Sequence, residues 1–389
     1  MTRSTAAEAS ADKERSPLPA VQLKELARHV GLFAAASVSM MLTWAKTDDG
    51  GLRAGSSWAH GAVFAGSLSL ILLAHELGHY ITARLHGVDA SLPFFIPLPI
   101  LSPFGTMGAV IRMRGTIPSR RALLDIGASG PLAGLAFAIP MYAWGIRHAP
   151  VVPIDPSLST TCGESILTRA LDAAFGPHLA EGTVQLASPI LFAAWAGFFV
   201  TMLNLLPIGQ LDGGHIAYAL FGKRQNRAAI VVHRSLLLFF FVSLASYLIR
   251  DAREGIGFHH LGRNVGDSLF WLVWFVVLGA LGAFTRERRS GDDSDEEVVS
   301  PWTRIIAAVM LSGLASEGHD RPDPTLWAAW FVGLAVLLVM EARGGTLRRH
   351  DLFDHPDVGR DDLGPGRTVI AVIALLFFVV LFMPAPFSM

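Results

Sequence analysis

The chain has one cysteine, Cys162, in 389 residues. A single thiol closes no disulfide within the chain and offers no cysteine cluster to a metal. It falls in the polar stretch 148–186, where an inert surface thiol is expected. Charge is scarce as well: 16% of residues are Asp, Glu, Lys or Arg, against roughly 25% in soluble domains. The formal net charge is −1, so there is no basic surplus with which to grip nucleic acid. Long polar segments are missing, and the longest connections, 148–186 and 343–366, are too short for a sizeable soluble core. No internal repeat is visible. The opening "MTRSTAAEASADKERSPLPA" is polar for longer than the charged start of a signal peptide. No cleaved signal is expected, and the first apolar span acts as its own anchor.

What the chain has in abundance is apolar sequence. Hydrophobic residues make up 52%, and the mean hydropathy is +0.45. A bilayer core asks for about 20 apolar helical residues. Runs that meet or approach this lie near 30–45, 61–86, 125–147, 187–207, 233–249, 268–284, 325–342 and 367–383. A further run, 302–316, is short, carries Arg304, and reads either as a span or as an interfacial helix. The expected fold is all-α, a polytopic transmembrane bundle of eight or nine spans. It divides into a polar cytoplasmic tail (1–28), a core (29–250) and additional transmembrane helices (251–389) with a solvated acidic loop, "GDDSDEEVVS", at 291–300.

Basic residues orient the spans, because short cytoplasmic loops are enriched in Lys and Arg. Arg3, Lys13, Arg15, Lys24 and Arg28 sit in the N-terminal tail. Arg112, Arg114, Arg120 and Arg121 follow the second run, and Lys223, Arg224 and Arg227 follow the fourth. The 148–186 stretch has Arg169 alone against Asp155, Glu164, Asp172 and Glu181. The N-terminus, 87–124 and 208–232 are therefore expected on the cytoplasmic side. Arg343, Arg348, Arg349 and Arg360 favour a cytoplasmic 343–366 loop, which requires 302–316 to cross.

The second run ends in "LLAHELGHYITARLHG", residues 72–87, which contains His-Glu-x-x-His. Residues four apart share a helix face, so His75 and His79 can both present a nitrogen to one tetrahedral zinc, with Glu76 beside the first ligand as proton acceptor. Zinc brings the pKa of its water from about 15.7 to near 7. Three ionisable groups within five residues of a buried helix each cost about 2.5–3.5 kcal/mol at membrane depth, and a metal is the obvious compensation. Catalytic zinc takes three protein ligands and keeps one position open. "NLLPIGQLDGGH", 204–215, supplies Asp212 at the depth of His79. Pro207 and Gly209 break the helix so that Asp212 turns back toward the bundle. Irregular backbone at this depth needs protein or a wet cavity around it, and such a cavity admits water from the cytoplasm. His215 is a competing ligand, and His86 is expected at the water interface.

Between these motifs lies "PFFIPLPILSPFGTMGAVIRMR", 93–114. Prolines 93, 97, 99 and 103 forbid a long helix. An extended or hairpin segment is expected there, with Gly105 and Gly108 at turns or bulges and a free strand edge available to substrate backbone.

Taken together, His75-Glu76-Leu77-Gly78-His79 and "NLLPIGQLDGG" resemble the site-2 protease family of intramembrane zinc peptidases. "DIGASGPLAGL", 125–135, is similar to that family's third core helix, in which Gly-Pro-Leu-Ala is usually followed by Asn; here Gly134 stands in that place. The proline-rich loop running into "GAVIRMR" and the closing "FMPAPF" look like the plastid-type and bacterial branch without a PDZ domain. The resemblance covers about residues 60–225. It implies one zinc ion per chain held by His75, His79 and Asp212, with Glu76 as general base and acid. It also implies that Asn204 binds substrate backbone or a developing oxyanion. By the same resemblance the chain cuts transmembrane segments of membrane-anchored proteins near the cytoplasmic side, single-span regulatory or anti-sigma-type proteins among them, in a bacterial inner membrane. Two other readings differ in kind: a membrane zincin of the prenyl-protein protease type, which uses a glutamate as third ligand, and a non-proteolytic zinc-binding chaperone or transporter.

Overall fold

The structure is a computed structural model that describes residues 23–45, 58–99, 102–114, 116–153, 161–255, 258–290, 358–359, 361–383 and 387–388. The expected spans at 302–316 and 325–342, the acidic run 291–300 and the first 22 residues of the N-terminal tail lie outside the described residues.

The first helices are α1 (Leu23–Ala45), α2 (Trp58–Leu85) and α3 (Arg120–His148). Six described helices are long and apolar enough to cross a membrane: these three, then α7 (Arg224–Arg253), α8 (Leu261–Ser290) over its stretch Leu261–Ala280, and α9 (Gly364–Leu381). The chain is thus an integral membrane protein of helical architecture. The first helix starts at Leu23 and so takes in the end of the stretch expected to be a polar tail; its face carrying His29 and Glu25 meets the segment 89–114 rather than lipid.

The expected span 187–207 corresponds to α5 (Pro189–Asn204), a helix of 16 residues. This is below the length that spans a bilayer core. Buried residues line α5 on every side, from Pro189 and Leu191 to Met202 and Leu203. A helix hydrophobic all round belongs in the interior. It packs between α2 and α3, starting at a Ser188 cap whose hydroxyl accepts from the Leu191 N–H, with Pro189 in the first turn. Rings join it to its neighbours: Trp44 of α1 stacks on Phe64 of α2 with centroids 5.3 Å apart, and Phe64 faces Phe192 of α5 at 5.6 Å.

The closest helix pair is α2 with α3. A Cβ placed on Gly78 would stand 2.6 Å from the carbonyl oxygen of Ser129, so the two backbones touch as small residues allow at membrane-helix interfaces. Pro131 and Pro140 lie inside α3, and each removes one rung of the helix ladder.

Between α2 and α3 the chain makes a folded-back antiparallel ribbon. Its base pairs β1 (Asp89–Ala90) with β4 (Met113–Arg114), and its upper part pairs β2 (Phe94–Pro97) with β3 (Thr106–Val110). The register shifts between Ile96 and Pro97, where a proline has no N–H to give. The tip leans on α1: Gly105 has φ +74, and a Cβ there would meet Met40 Cα at 2.7 Å.

On the opposite side of the bundle, β5 (Val151–Pro153) pairs with β7 (Thr183–Gln185), and the short helix α4 (Ile166–Phe175) docks on α3 through Tyr142, whose hydroxyl donates to Asp172 Oδ1 at 3.0 Å. The ninth helix does not stand apart with the late helices. It packs along α3, α5 and α6 (Asp212–Phe221). Beyond it β8 (Phe387–Ser388) pairs with β6 (Thr161–Cys162). α7 and α8 form an antiparallel pair tied by the His233 Nε2 contact to the Phe275 carbonyl (2.8 Å).

If the α2–α3 backbones are in contact, Gly78→Leu should lower the melting temperature of the detergent-purified chain, a loss of about 1–3 kcal/mol by overpacking. Gly66→Ala on the same helix, where nothing lies within 4 Å, should be at least as stable as wild type. Equal stability of the two variants would contradict the packing described.

Candidate metal centre

His75, Glu76 and His79 lie on the buried side of α2 at 3%, 7% and 6% exposure. The helix α5 ends at Asn204, the chain folds through 205–211, and α6 starts with Asp212 as its first residue. The turn-back expected from Pro207 and Gly209 thus occurs, and the two glycines after Asp212 explain its tightness. A Cβ on Gly213 would stand 1.9 Å from the Leu205 carbonyl oxygen, and one on Gly214 would stand 2.4 Å from that of Gly209. The side chain of Gln225 braces the loop by donating to the Pro207 carbonyl at 3.1 Å.

The result is a near-equilateral triangle of donors. Asp212 Oδ2 is 3.2 Å from His75 Nε2 and 3.2 Å from His79 Nε2, and the two nitrogens are 3.1 Å apart. Among the described residues these three form the one group of His, Cys, Asp or Glu able to hold a metal ion. Ligands at about 2.0–2.1 Å from one tetrahedral ion stand about 3.3 Å from each other, so the donor set fits zinc with two imidazoles and one carboxylate. His79 Nδ1 lies 2.7 Å from the carbonyl oxygen of Ile126. That bond puts the proton on Nδ1 and leaves the Nε2 lone pair for the ion. His215 is not part of the triangle; it packs against Gly127 of α3.

The third helix is shaped for this site. A Cβ on Gly130 would fall 2.1 Å from His79 Nε2, and one on Gly134 would lie 3.3 Å from His75 Cβ. The glycines of "GASGPLAG" therefore make the space the imidazoles occupy. Gly134, where the resembled pattern has Asn, faces His75 directly. Ile126 O also accepts from Ser129 Oγ (2.9 Å), one residue before the Gly127 carbonyl whose helix partner Pro131 removes.

Glu76 interacts electrostatically with His79 and Asp212, and the backbone N–H of Ile111, just past β3, lies near its carboxylate. The strand ribbon therefore reaches the site. Asn204 Nδ2 lies 3.2 Å from His75 Nε2, beside that corner of the triangle. Gly108, at φ +110, is open: nothing lies within 4 Å of where a Cβ would stand, while Gly105 is enclosed by α1. His86, expected at the water interface, is partly exposed and pairs with Asp125, Nε2 to Oδ2 at 2.9 Å. The contributions of Ile111 and Ile126 come from backbone atoms and had no side-chain signal. Gly130 did have one, the Gly-Pro pair of its motif.

A helical membrane protein with a His-His-Asp metal group and an adjacent glutamate is the class that this geometry defines. Residues 63–248 match the family model described as Peptidase family M50. The chain is 32% identical over 162 residues to "Probable zinc metalloprotease EGY2, chloroplastic" of Arabidopsis thaliana, covering 40% of this chain and 28% of that protein. It is 33% identical over 252 residues to the protein of the same name from Oryza sativa subsp. indica (63% and 40%). To "Probable zinc metalloprotease EGY3, chloroplastic" of the same subspecies it is 30% identical over 279 residues (66% and 42%). The chain thus spans less than half the length of these curated relatives. No solved structure matches it.

Gly130→Ala tests the cradle, because it leaves every ligand in place. Zinc affinity, measured by chelator competition, should fall about 10–100-fold, as when ligand support is lost. His79→Ala and Asp212→Ala should take bound zinc well below one per chain. Wild-type affinity in Gly130→Ala would mean that His79 does not lie against α3 as described.

Proposed function

We propose that this chain is an intramembrane zinc endopeptidase that cleaves transmembrane segments of membrane-anchored proteins. The observation that carries the reading is the His75–His79–Asp212 triangle at membrane depth, with Glu76 beside it and a strand edge at Glu76. The names of the relatives support zinc and proteolysis, and burial of the site among apolar helices supports a substrate that is itself in the membrane.

When bound by His75, His79 and Asp212, zinc would supply Lewis acidity to a carbonyl and to water. The rest falls to side chains and backbone. Glu76 takes a proton from the attacking water at its carboxylate and returns it to the leaving amide nitrogen, which regenerates the base. Asn204, whose Nδ2 points at the His75 corner of the triangle, donates to the carbonyl oxygen as negative charge gathers there. A helical substrate keeps its carbonyls tied in the helix ladder, so it must be drawn out before attack. Among the described residues β3 pairs with β2 on one edge only, and its other edge, running through Gly108 toward Ile111, is where extended substrate backbone would pair. Gly108 keeps that edge clear; Gly105 anchors the ribbon to α1.

The end of the bundle that carries the site also carries Arg112, Arg114, Arg120 and Arg121, which supports a cytoplasm-facing site and cleavage near that side. The bacterial inner membrane expected from the sequence has no counterpart among the relatives, which are chloroplastic. Single-span regulatory proteins, released by the cut, are the substrate class that a site of this kind suits.

The test is Glu76→Gln in membranes of cells expressing the chain. Zinc content should stay at the wild-type level while membrane-anchored fragments accumulate in the variant alone, which mass spectrometry would identify. Equal zinc and identical fragment profiles in the two strains would argue for a zinc-binding protein without proteolytic activity.

A further inference from the structure

We infer that Arg367, on α9 and outside the matched segment 63–248, is a positioning residue of the metal centre and acts through Asp125 and Ile126 on His79. This rests on reading His75, His79 and Asp212 as metal ligands, and it adds to that reading a support from a helix far along the chain.

The geometry is a bidentate fork. Arg367 Nε lies 2.9 Å from Asp125 Oδ1, and Arg367 Nη2 lies 2.9 Å from Asp125 Oδ2. The same Oδ2 takes His86 Nε2 at 2.9 Å. Asp125 and His86 are partly buried, at 22% and 26% exposure, while Arg367 reaches them from the more open side, at 37%. Planar two-point pairing of this kind fixes a carboxylate in direction as well as in place.

What Asp125 holds follows from its neighbours. The next residue, Ile126, is the one whose carbonyl oxygen orients His79. His86 comes seven residues after His79, in the turn just past the end of α2. Two contacts thus clamp α2 to α3 at successive levels: His79 on Ile126, and His86 on Asp125. Arg367 fixes the carboxylate on which the second depends. With Arg367 gone, Asp125 has only His86 as a partner. The carboxylate is then free to swing toward water, and α3 is no longer held at the level that meets His79.

The helix that carries Arg367 is anchored independently at both ends. Before it, Arg121 Nε donates to the Asp362 carbonyl at 2.7 Å. Beyond it, the Met383 N–H meets Met202 Sδ at 3.2 Å, and β8 pairs with β6. The fork is therefore presented from a fixed helix rather than by a loose chain end.

The experiment uses the full chain in detergent with Co2+ as the probe, read by its ligand-field absorption. In Arg367→Ala the Co2+ dissociation constant should rise about 10–100-fold, the range expected for lost outer support of a ligand, and the band positions should shift because His79 is turned. Arg367→Lys keeps the charge without the fork and should recover part of both. Val369→Ala, on the exposed side of α9, should match wild type. An Arg367→Ala protein with a dissociation constant within twofold of wild type and an unchanged spectrum overturns the inference. Should Arg367→Ala fail to fold, Arg367→Lys decides: wild-type affinity and bands overturn the inference, and weaker binding with shifted bands supports it. A wild-type chain that binds no Co2+ would instead sink the metal reading itself.

Discussion

Two imidazoles and two carboxylates sit where the surrounding surface is hydrocarbon, and their desolvation is the constraint that organises the core. Each such group costs about 2.5–3.5 kcal/mol at membrane depth. The offset comes from bringing His75, His79 and Asp212 to within 3.1–3.2 Å of one another, as one cation would hold them, and from placing the backbone N–H of Ile111 near Glu76. A chain that must place a carboxylate from 212 against histidines at 75 and 79 needs a helix that stops inside the bundle. The short, fully enclosed α5 and the restart at α6 meet that need. Their irregular backbone is covered by α2, α3 and Gln225 rather than by lipid.

The helix α3 is the common wall. Its glycines leave room for the imidazoles, its Ile126 carbonyl sets the tautomer of His79, and its first turns take ties from three other elements. Arg120 reaches the carbonyls of Ala219 and Leu220 at the end of α6, where a cation also meets the negative end of the helix dipole. Arg121 and Asp125 take the start of α9, and Asp125 takes the end of α2. Arg120, Arg121 and Arg367 are thus the fastenings of the helices around the site, at an end of the bundle where a guanidinium can keep part of its surface wet.

Under the proposed function the strand ribbon meets a different need. A peptide bond held in a helix has no free carbonyl, and an extended edge beside the site would give drawn-out substrate backbone something to pair with. Prolines at 93, 97, 99 and 103 keep 93–103 out of a helix. The tip is pinned to α1 at Gly105, and the other end of β3 is placed against Glu76 through Ile111.

Much of this was legible in the amino-acid sequence. Apolar length marked the long helices, since the bilayer fixes the number of residues that a span requires. The four-residue spacing of His75 and His79 fixed a shared face, and the Pro207–Gly209 break followed by Asp212 marked the third ligand. These are local signals, carried by residues near one another in the chain. Other features arise from contacts between distant segments, and local pattern says nothing about them. That 187–207 becomes a 16-residue helix enclosed on every side depends on α2 and α3 closing around it. That His86 meets Asp125, and that Arg367 completes the cluster from 242 residues along the chain, depends on how α2 and α9 pack against α3. The roles of the Ile111 N–H and the Ile126 carbonyl belong to backbone atoms that every residue has. Side-chain chemistry and spacing were enough to name the metal ligands; only the packing of the helices decided which backbone groups and which distant charges hold them in place.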